Sequence, residues 1–70
     1  MINENKLNML KKIYQTGMKV QLIDMDDIQA PPANTIGTIM FVDDIGQIHV
    51  KWDNGSTLAL NYELDEFKIL

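Results

Sequence analysis

The chain has 70 residues, a length that supports one hydrophobic core and leaves no room for a second independent one. Its 46% apolar content predicts a folded chain, and the absence of cysteine excludes disulfides and thiolate metal sites. Ten acidic residues against six basic ones, all of them lysine, give a net charge of −4, which disfavours a nucleic-acid-binding protein and favours a partner with a basic surface.

One helix is predicted, over residues 3–15. Asn3 or Asn5 is suited to cap its start, and Gly17 to end it. Its apolar residues recur at helical spacing and form one stripe: Leu7, Leu10, Ile13 and Tyr14. Because three helical turns are marginal alone in water, this stripe must pack either on the rest of the chain or on a partner.

From Met18 onward the apolar residues alternate with polar ones, as they do in half-buried strands. A first strand starts at Met18, and four more are predicted over residues 36–42, 48–52, 57–62 and 67–70. Asp53-Asn54-Gly55 predicts a hairpin turn, and Asp44-Ile45-Gly46 a weaker one. Five short strands with tight connections predict a small SH3-like β-barrel over residues 17–70, preceded by the helix in residues 1–16, as a single domain.

The connection over residues 24–35 holds both prolines and a run of acids. It is too long for a hairpin loop, and it lies where an SH3-like barrel has its long first loop. Pro31 and Pro32 either stiffen a recognition element or merely shape the loop and block strand pairing at an edge. The sequence leaves these two interpretations equal.

Several stretches of the chain also resemble a known family. They are GMKVQLIDMDD, APP, IGTI, VDDIGQIHVKWDNGSTLAL and the closing DEFKIL. Together they resemble the bacterial and phage family catalogued as domain of unknown function 4314, over about residues 17–70. The resemblance implies a small barrel protein carried by phages, plasmids or integrated elements, and it implies no activity.

No catalytic or cofactor site is predicted. His49, the only histidine, falls on the outward face of the third strand with no nucleophile or orienting carboxylate spaced for catalysis, and is expected to be a cross-strand surface residue. The acids of residues 24–27 lack the glycine and distant glutamate of a calcium loop, so solvated carboxylates are favoured over a metal site.

Two aromatic residues have alternative interpretations. Trp52 alternates with Ile48 and Val50, which favours core packing over a ligand-stacking role. Phe41 is expected to share an outward face with Ile39, a patch that either the helix or a partner covers, and the helix is the favoured cover.

The sequence therefore favours a non-enzymatic protein-interaction module that presents acidic loops to a basic surface of a larger protein. The candidate contact residues are Asp24, Asp26, Asp27, Pro31, Pro32, Asp43, Asp44 and Phe41. Given the phage-like resemblance, one form of this role is inhibition of a host defence nuclease in the manner of an anti-CRISPR protein. The alternatives are nucleic-acid binding through Lys6, Lys11, Lys12 and Lys51, or a subunit that forms homo-oligomers through the helix stripe.

The location of the protein is also a prediction. Polar and charged side chains interrupt every apolar run near the start, which argues against a signal peptide. No stretch approaches the roughly 18 apolar residues needed to span a bilayer. We therefore expect a soluble, cytoplasmic protein without a membrane partner.

Overall fold

The computed structural model describes residues 2–70. Its helix, α1, spans Glu4–Ile13. The side chain of Asn3 caps it by accepting a hydrogen bond of 2.8 Å from the backbone N–H of Lys6. The helix ends two residues earlier than predicted, because Tyr14 turns to an extended conformation with φ −102° and ψ 90°. In the part of the chain described, no helix is long and apolar enough to cross a membrane.

Five antiparallel strands follow the helix and form one sheet in the order β4-β3-β2-β1-β5. The prediction of a mainly β fold with one N-terminal helix is therefore confirmed. The outermost strands, β4 and β5, are edges, so the strand pairing does not close the sheet into a cylinder. The strands are β1 (Lys19–Asp24), β2 (Ile36–Val42), β3 (Gln47–Trp52), β4 (Leu60–Asn61) and β5 (Glu66–Ile69).

The fourth strand is much shorter than the predicted 57–62, because residues 56–59 run alongside β3 without a regular ladder. Two carbonyls of this segment accept hydrogen bonds from Trp52 instead. The backbone N–H of Trp52 donates to the carbonyl of Ser56 at 2.9 Å, and its indole N–H donates to the carbonyl of Leu58 at 2.8 Å. Tyr62 begins a turn rather than continuing the strand, and its side chain is 39% exposed.

The helix and the sheet share one core. Trp52 is 1% exposed, as its alternation with Ile48 and Val50 predicted. Leu10 is equally buried, so the apolar stripe of α1 packs on the sheet of its own chain, although Ile13 at the helix end remains 47% exposed. The buried apolar residues are Leu10, Val20, Leu22, Ile39, Val42, Ile48, Val50, Trp52 and Leu60.

A β-bulge in β2 changes which side chains face outward. The pairing register with β3 shifts between Ile39 and Phe41, so Met40 is an extra residue without a partner. Ile39 is buried, whereas Met40 and Phe41 are both about half exposed. The prediction that Ile39 and Phe41 share an outward face was wrong, because alternation fails across a bulge. Ile39 is buried in the core that also contains Leu10 of the helix, whereas Phe41 is left 51% exposed, so the helix does not cover the whole of the predicted patch.

Gly37 in β2 faces the buried Trp52, and a side chain there would collide with the core. In Gly37→Ala, the new Cβ would press on Val50 Cγ1 and lie 2.7 Å from Trp52 Cε3. We expect this overpacking to lower the free energy of unfolding by about 1–3 kcal/mol in urea denaturation. Gly17→Ala is the control, because Gly17 has a φ of +91° and open space around it. It should cost only the backbone strain of about 1 kcal/mol. A free energy of unfolding of Gly37→Ala within about 0.5 kcal/mol of the wild-type value would contradict the close packing.

Candidate functional site

The connection between β1 and β2, residues 25–35, is an ordered loop built from two turns. In the first turn the carboxylate of Asp27 accepts the backbone N–H of Gln29 at 2.7 Å, and its carbonyl accepts the N–H of Ala30 at 3.0 Å. In the second turn the carbonyl of Pro32 accepts both the hydroxyl and the N–H of Thr35. These bonds hold the acidic part of the loop in a defined position.

This loop forms one wall of an open groove of about 580 Å³. The opposite side is formed by outward side chains of β3, by residues 56–59 and by the turn that leads into β5. The segment 56–59 lies there because Trp52 holds its carbonyls, as described above. The lining residues are Met25, Asp26, Asp27, Gln29, Gln47, His49, Ser56, Thr57, Leu58, Ala59, Asn61, Leu64 and Asp65.

The groove is acidic. Asp26, Asp27 and Asp65 line it, and its lining contains no lysine. Asp65 is fixed in place because one carboxylate oxygen accepts the backbone N–H of Asn61 at 2.7 Å. Three carboxylates around one concave surface create a local negative potential, so the groove favours cationic groups.

Apolar side chains accompany the acids. Ile28, at the tip of the long loop between Asp27 and Gln29, is fully exposed, and Leu64 in the groove lining is 81% exposed. Both side chains are large and aliphatic, and neither gains stability from its position in the monomer. Both are therefore available to a ligand that fills or borders the groove.

His49 lines the groove and is held from two sides. Phe41 lies directly opposite it on β2, and the two rings stack with centroids 4.4 Å apart and an interplanar angle of 12°. The ring N–H at Nε2 donates to Asp43 Oδ2 at 2.7 Å. His49 is thus a part-buried member of a cluster with Phe41 and Asp43, more constrained than the surface residue that the sequence predicted.

Asp43 also organises the turn between β2 and β3. Its Oδ1 accepts the backbone N–H groups of Ile45 and Gln47 at 3.1 and 2.9 Å. Burial, the largest single influence, acts to raise the pKa of Asp43. The hydrogen bond from His49, the two backbone N–H groups and the charge of His49 together outweigh it, so the pKa lies below its ordinary value.

The eight predicted contact residues fall into three positions. Asp26 and Asp27 line the groove, and Asp43 and Phe41 support His49 in its wall. The others lie outside the lining. Asp24 lies opposite Glu66 of β5, Asp44 pairs with Lys11 of α1 at 3.2 Å, Pro31 is buried, and Pro32 is exposed. Burial of Pro31 means that it shapes the loop and does not present a contact surface.

Sequence reasoning missed the part of the groove that comes from the end of the chain, above all Leu64 and Asp65. It also passed over Ile28, although a lone aliphatic residue among acids and amides in the stretch DMDDIQ was a visible signal. The stacking of Phe41 on His49 could not be found by alternation, because it depends on the bulge in β2.

The fold and the groove define a small mainly β domain with an N-terminal helix and an acidic, partly apolar surface cleft. The family model for Domain of unknown function (DUF4314) matches residues 3–70, so the chain belongs to this family. The family resemblance seen in the sequence is thereby confirmed, and the match extends through the helix. Neither a curated protein nor a solved structure matches the chain.

The position of Asp43 predicts a pH-dependent contribution to stability. The pKa of Asp43 is lower in the folded state than in the unfolded state. The carboxylate therefore makes its full contribution to stability at any pH above its unfolded-state pKa, and this contribution is lost as the pH falls through its folded-state pKa. We expect Asp43→Asn to reduce the free energy of unfolding by about 1 kcal/mol at neutral pH. The difference from the wild type should shrink below about pH 4 in urea titrations.

Asp44→Asn is the matched control, since it removes the same charge one residue away. Its side chain is 95% exposed and pairs only with the flexible Lys11, so we expect a change within about 0.5 kcal/mol at either pH. An Asp43→Asn effect that stays constant from neutral to acidic pH would show that the ionised carboxylate is not the stabilising group.

Proposed function

We propose that this protein is a non-enzymatic protein-interaction module whose acidic groove receives a basic, partly apolar segment of a larger protein. The observation that carries the proposal is the convergence of three carboxylates on one groove beside two exposed aliphatic side chains. The carboxylates are those of Asp26, Asp27 and Asp65, and the aliphatic residues are Ile28 and Leu64.

The charges of the groove support a cationic ligand. One carboxylate oxygen of Asp27 accepts the backbone N–H of Gln29, and one of Asp65 accepts that of Asn61, which fixes both carboxylates before a partner binds. A fixed array of charges loses little conformational freedom on binding, so more of the attraction appears as affinity and as a faster association rate. Lysine or arginine side chains of the partner would lie against these acids.

The exposed aliphatic groups support a protein partner over a small cation. Ile28 is fully exposed on a loop whose neighbouring residues are hydrogen-bonded in place. Burying one such side chain contributes about 1.5–3 kcal/mol. A metal ion would leave Ile28 and Leu64 in water, whereas a peptide segment would cover them.

We also propose that the fold is that of an SH3-like barrel. The strand order, the all-antiparallel pairing and the long loop after β1 are those expected of this architecture. In this view the short turn over residues 62–64 brings β4 and β5 together at the open side of the sheet. The groove then lies beside the long first loop, which the sequence predicted to be part of the recognition surface.

Inhibition of a host nucleic-acid-binding defence protein, with the chain encoded by a phage or mobile element, is the narrower form of this proposal. It is supported by the acidic composition, because a nuclease channel is lined by cations that normally hold phosphates. The groove is of a size to admit one loop or tail of such a protein, while the acids of the surrounding loops would contact the remaining basic surface.

The two alternatives from the sequence have less support. Of the lysines proposed to bind nucleic acid, Lys6 forms an ion pair with Glu63, and Lys11 pairs with Asp44, so carboxylates offset both charges. A homo-oligomer formed through the helix stripe could use only the stripe residues that remain exposed, because Leu10 is buried within the monomer at 1% exposure.

The groove should bind a basic, apolar peptide in preference to an acidic one. As probes we suggest short fluorescent peptides that alternate leucine with lysine or leucine with glutamate, with binding measured by anisotropy. We expect only the lysine peptide to bind. Asp26→Asn with Asp27→Asn should weaken that binding about tenfold, the effect of about 1.4 kcal/mol of lost attraction.

Two further variants sharpen this test. Asp44→Asn with Asp53→Asn removes the same charge from two other turns and should leave affinity within about twofold, since long-range charge is screened. Ile28→Ser should weaken binding without lowering stability, because the side chain is fully exposed. Equal binding of the two peptides, or equal losses in both double variants, would refute a specific acidic groove.

A further inference from the structure

Three lysines from three different strands lie on one outward face of the sheet. Lys19 of β1 and Lys51 of β3 both lie directly opposite Thr38 of β2, one on each side. Lys68 of β5 lies opposite Gln21, which is two residues along β1 from Lys19 and therefore on the same face. All three lysines are exposed, and we call this set, Lys19, Lys51 and Lys68, the lysine face.

The lysine face differs in its neighbours from two of the three lysines of α1. Lys6 and Lys11 form ion pairs with carboxylates, but within residues 2–70 no ion pair includes a member of the lysine face. Lys19 instead donates to the hydroxyl of Thr38 at 2.6 Å. Glu66, two residues before Lys68 on β5, borders the face at one end together with its cross-strand partner Asp24, whereas Lys19 and Lys51 both have Thr38 as their cross-strand partner on β2. A local concentration of positive charge therefore exists on a protein of net charge −4.

The spacing of the lysine face suits a row of phosphates. Adjacent strands lie about 4.8 Å apart, so Lys19 and Lys51, separated by one strand, have backbones about 10 Å apart. Each strand of a nucleic acid duplex carries one phosphate per about 3.4 Å of axis, so two lysines about 10 Å apart can each contact a different phosphate. The polar side chains of Thr38 and Gln21 lie between the lysines and offer hydrogen-bond donors to phosphate oxygens.

We propose that the lysine face binds the phosphate backbone of nucleic acid without reading its sequence. Lysine acts there as a point charge, and the chain contains no arginine with which to recognise bases in a bidentate manner. This surface is distinct from the acidic groove and does not depend on the function proposed for it. It also differs from the lysine set predicted from the sequence, of which it retains only Lys51.

The test is binding of a fluorescent DNA duplex of about 20 base pairs to the full chain at about 20 mM salt, followed by anisotropy. We expect weak binding. A plot of the logarithm of the association constant against the logarithm of the salt concentration should have a slope of about −2.7, the value for three phosphate contacts. Replacing Lys19, Lys51 and Lys68 together by Gln should lower the affinity at least tenfold.

The matched control replaces Lys6, Lys11 and Lys12 by Gln. Both triple variants lower the net charge by three, so they differ only in where the charge is lost. Circular dichroism and the urea midpoint of each variant check that it is folded. The control should lose clearly less affinity, at most about threefold, because its charges lie outside the contact surface and act on the DNA only at long range.

Three results would overturn the proposal. They are absence of DNA binding at low salt, equal losses in the two triple variants, and preferential binding of the wild type to anionic phospholipid vesicles over DNA. The last result would assign the lysine face to a membrane surface. None of these outcomes changes the peptide affinity expected for the groove, so the two proposals can fail separately.

Discussion

The burial of Trp52 at the end of β3 is the interaction on which the rest of the structure depends. Its indole fills the centre of the core, and only a glycine, Gly37, fits against it from β2. Its two N–H groups hold the carbonyls of Ser56 and Leu58, because a buried indole N–H requires a partner. The same side chain that completes the core thus places residues 56–59, one side of the acidic groove.

The β2–β3 hairpin carries a second constraint. Asp43 fixes its turn through two backbone hydrogen bonds and holds His49 through a third, while the bulge at Met40 turns Phe41 onto the imidazole. The result is a groove wall whose polar ring cannot rotate freely. Along β3 the outward positions then pass from Gln47 and His49 in the groove to Lys51 on the lysine face. One strand therefore joins two surfaces of opposite charge.

Much of the fold could be predicted because it follows from local periodicity. The helix, the first three strands and the glycine-containing turns lie close to their predicted positions, and Gly46 and Gly55 have the positive φ that their turns require. Predictions failed where a particular hydrogen bond or a shift of pairing register overrides the alternating pattern. The fourth strand is shorter than predicted because Trp52 binds the carbonyls of Ser56 and Leu58, and Ile39 faces inward because a bulge interrupts the alternation.

The sequence by itself determined the class of fold, the core role of Trp52, and an acidic loop with Asp26 and Asp27 exposed to solvent. Only the tertiary structure decided what those acids face. Asp65 and Leu64 join them because the chain returns to the same place after β4, and Lys19, Lys51 and Lys68 meet because three strands align in register. Periodicity reports which face of its own strand a residue occupies, whereas the neighbours across strands follow from pairing and register.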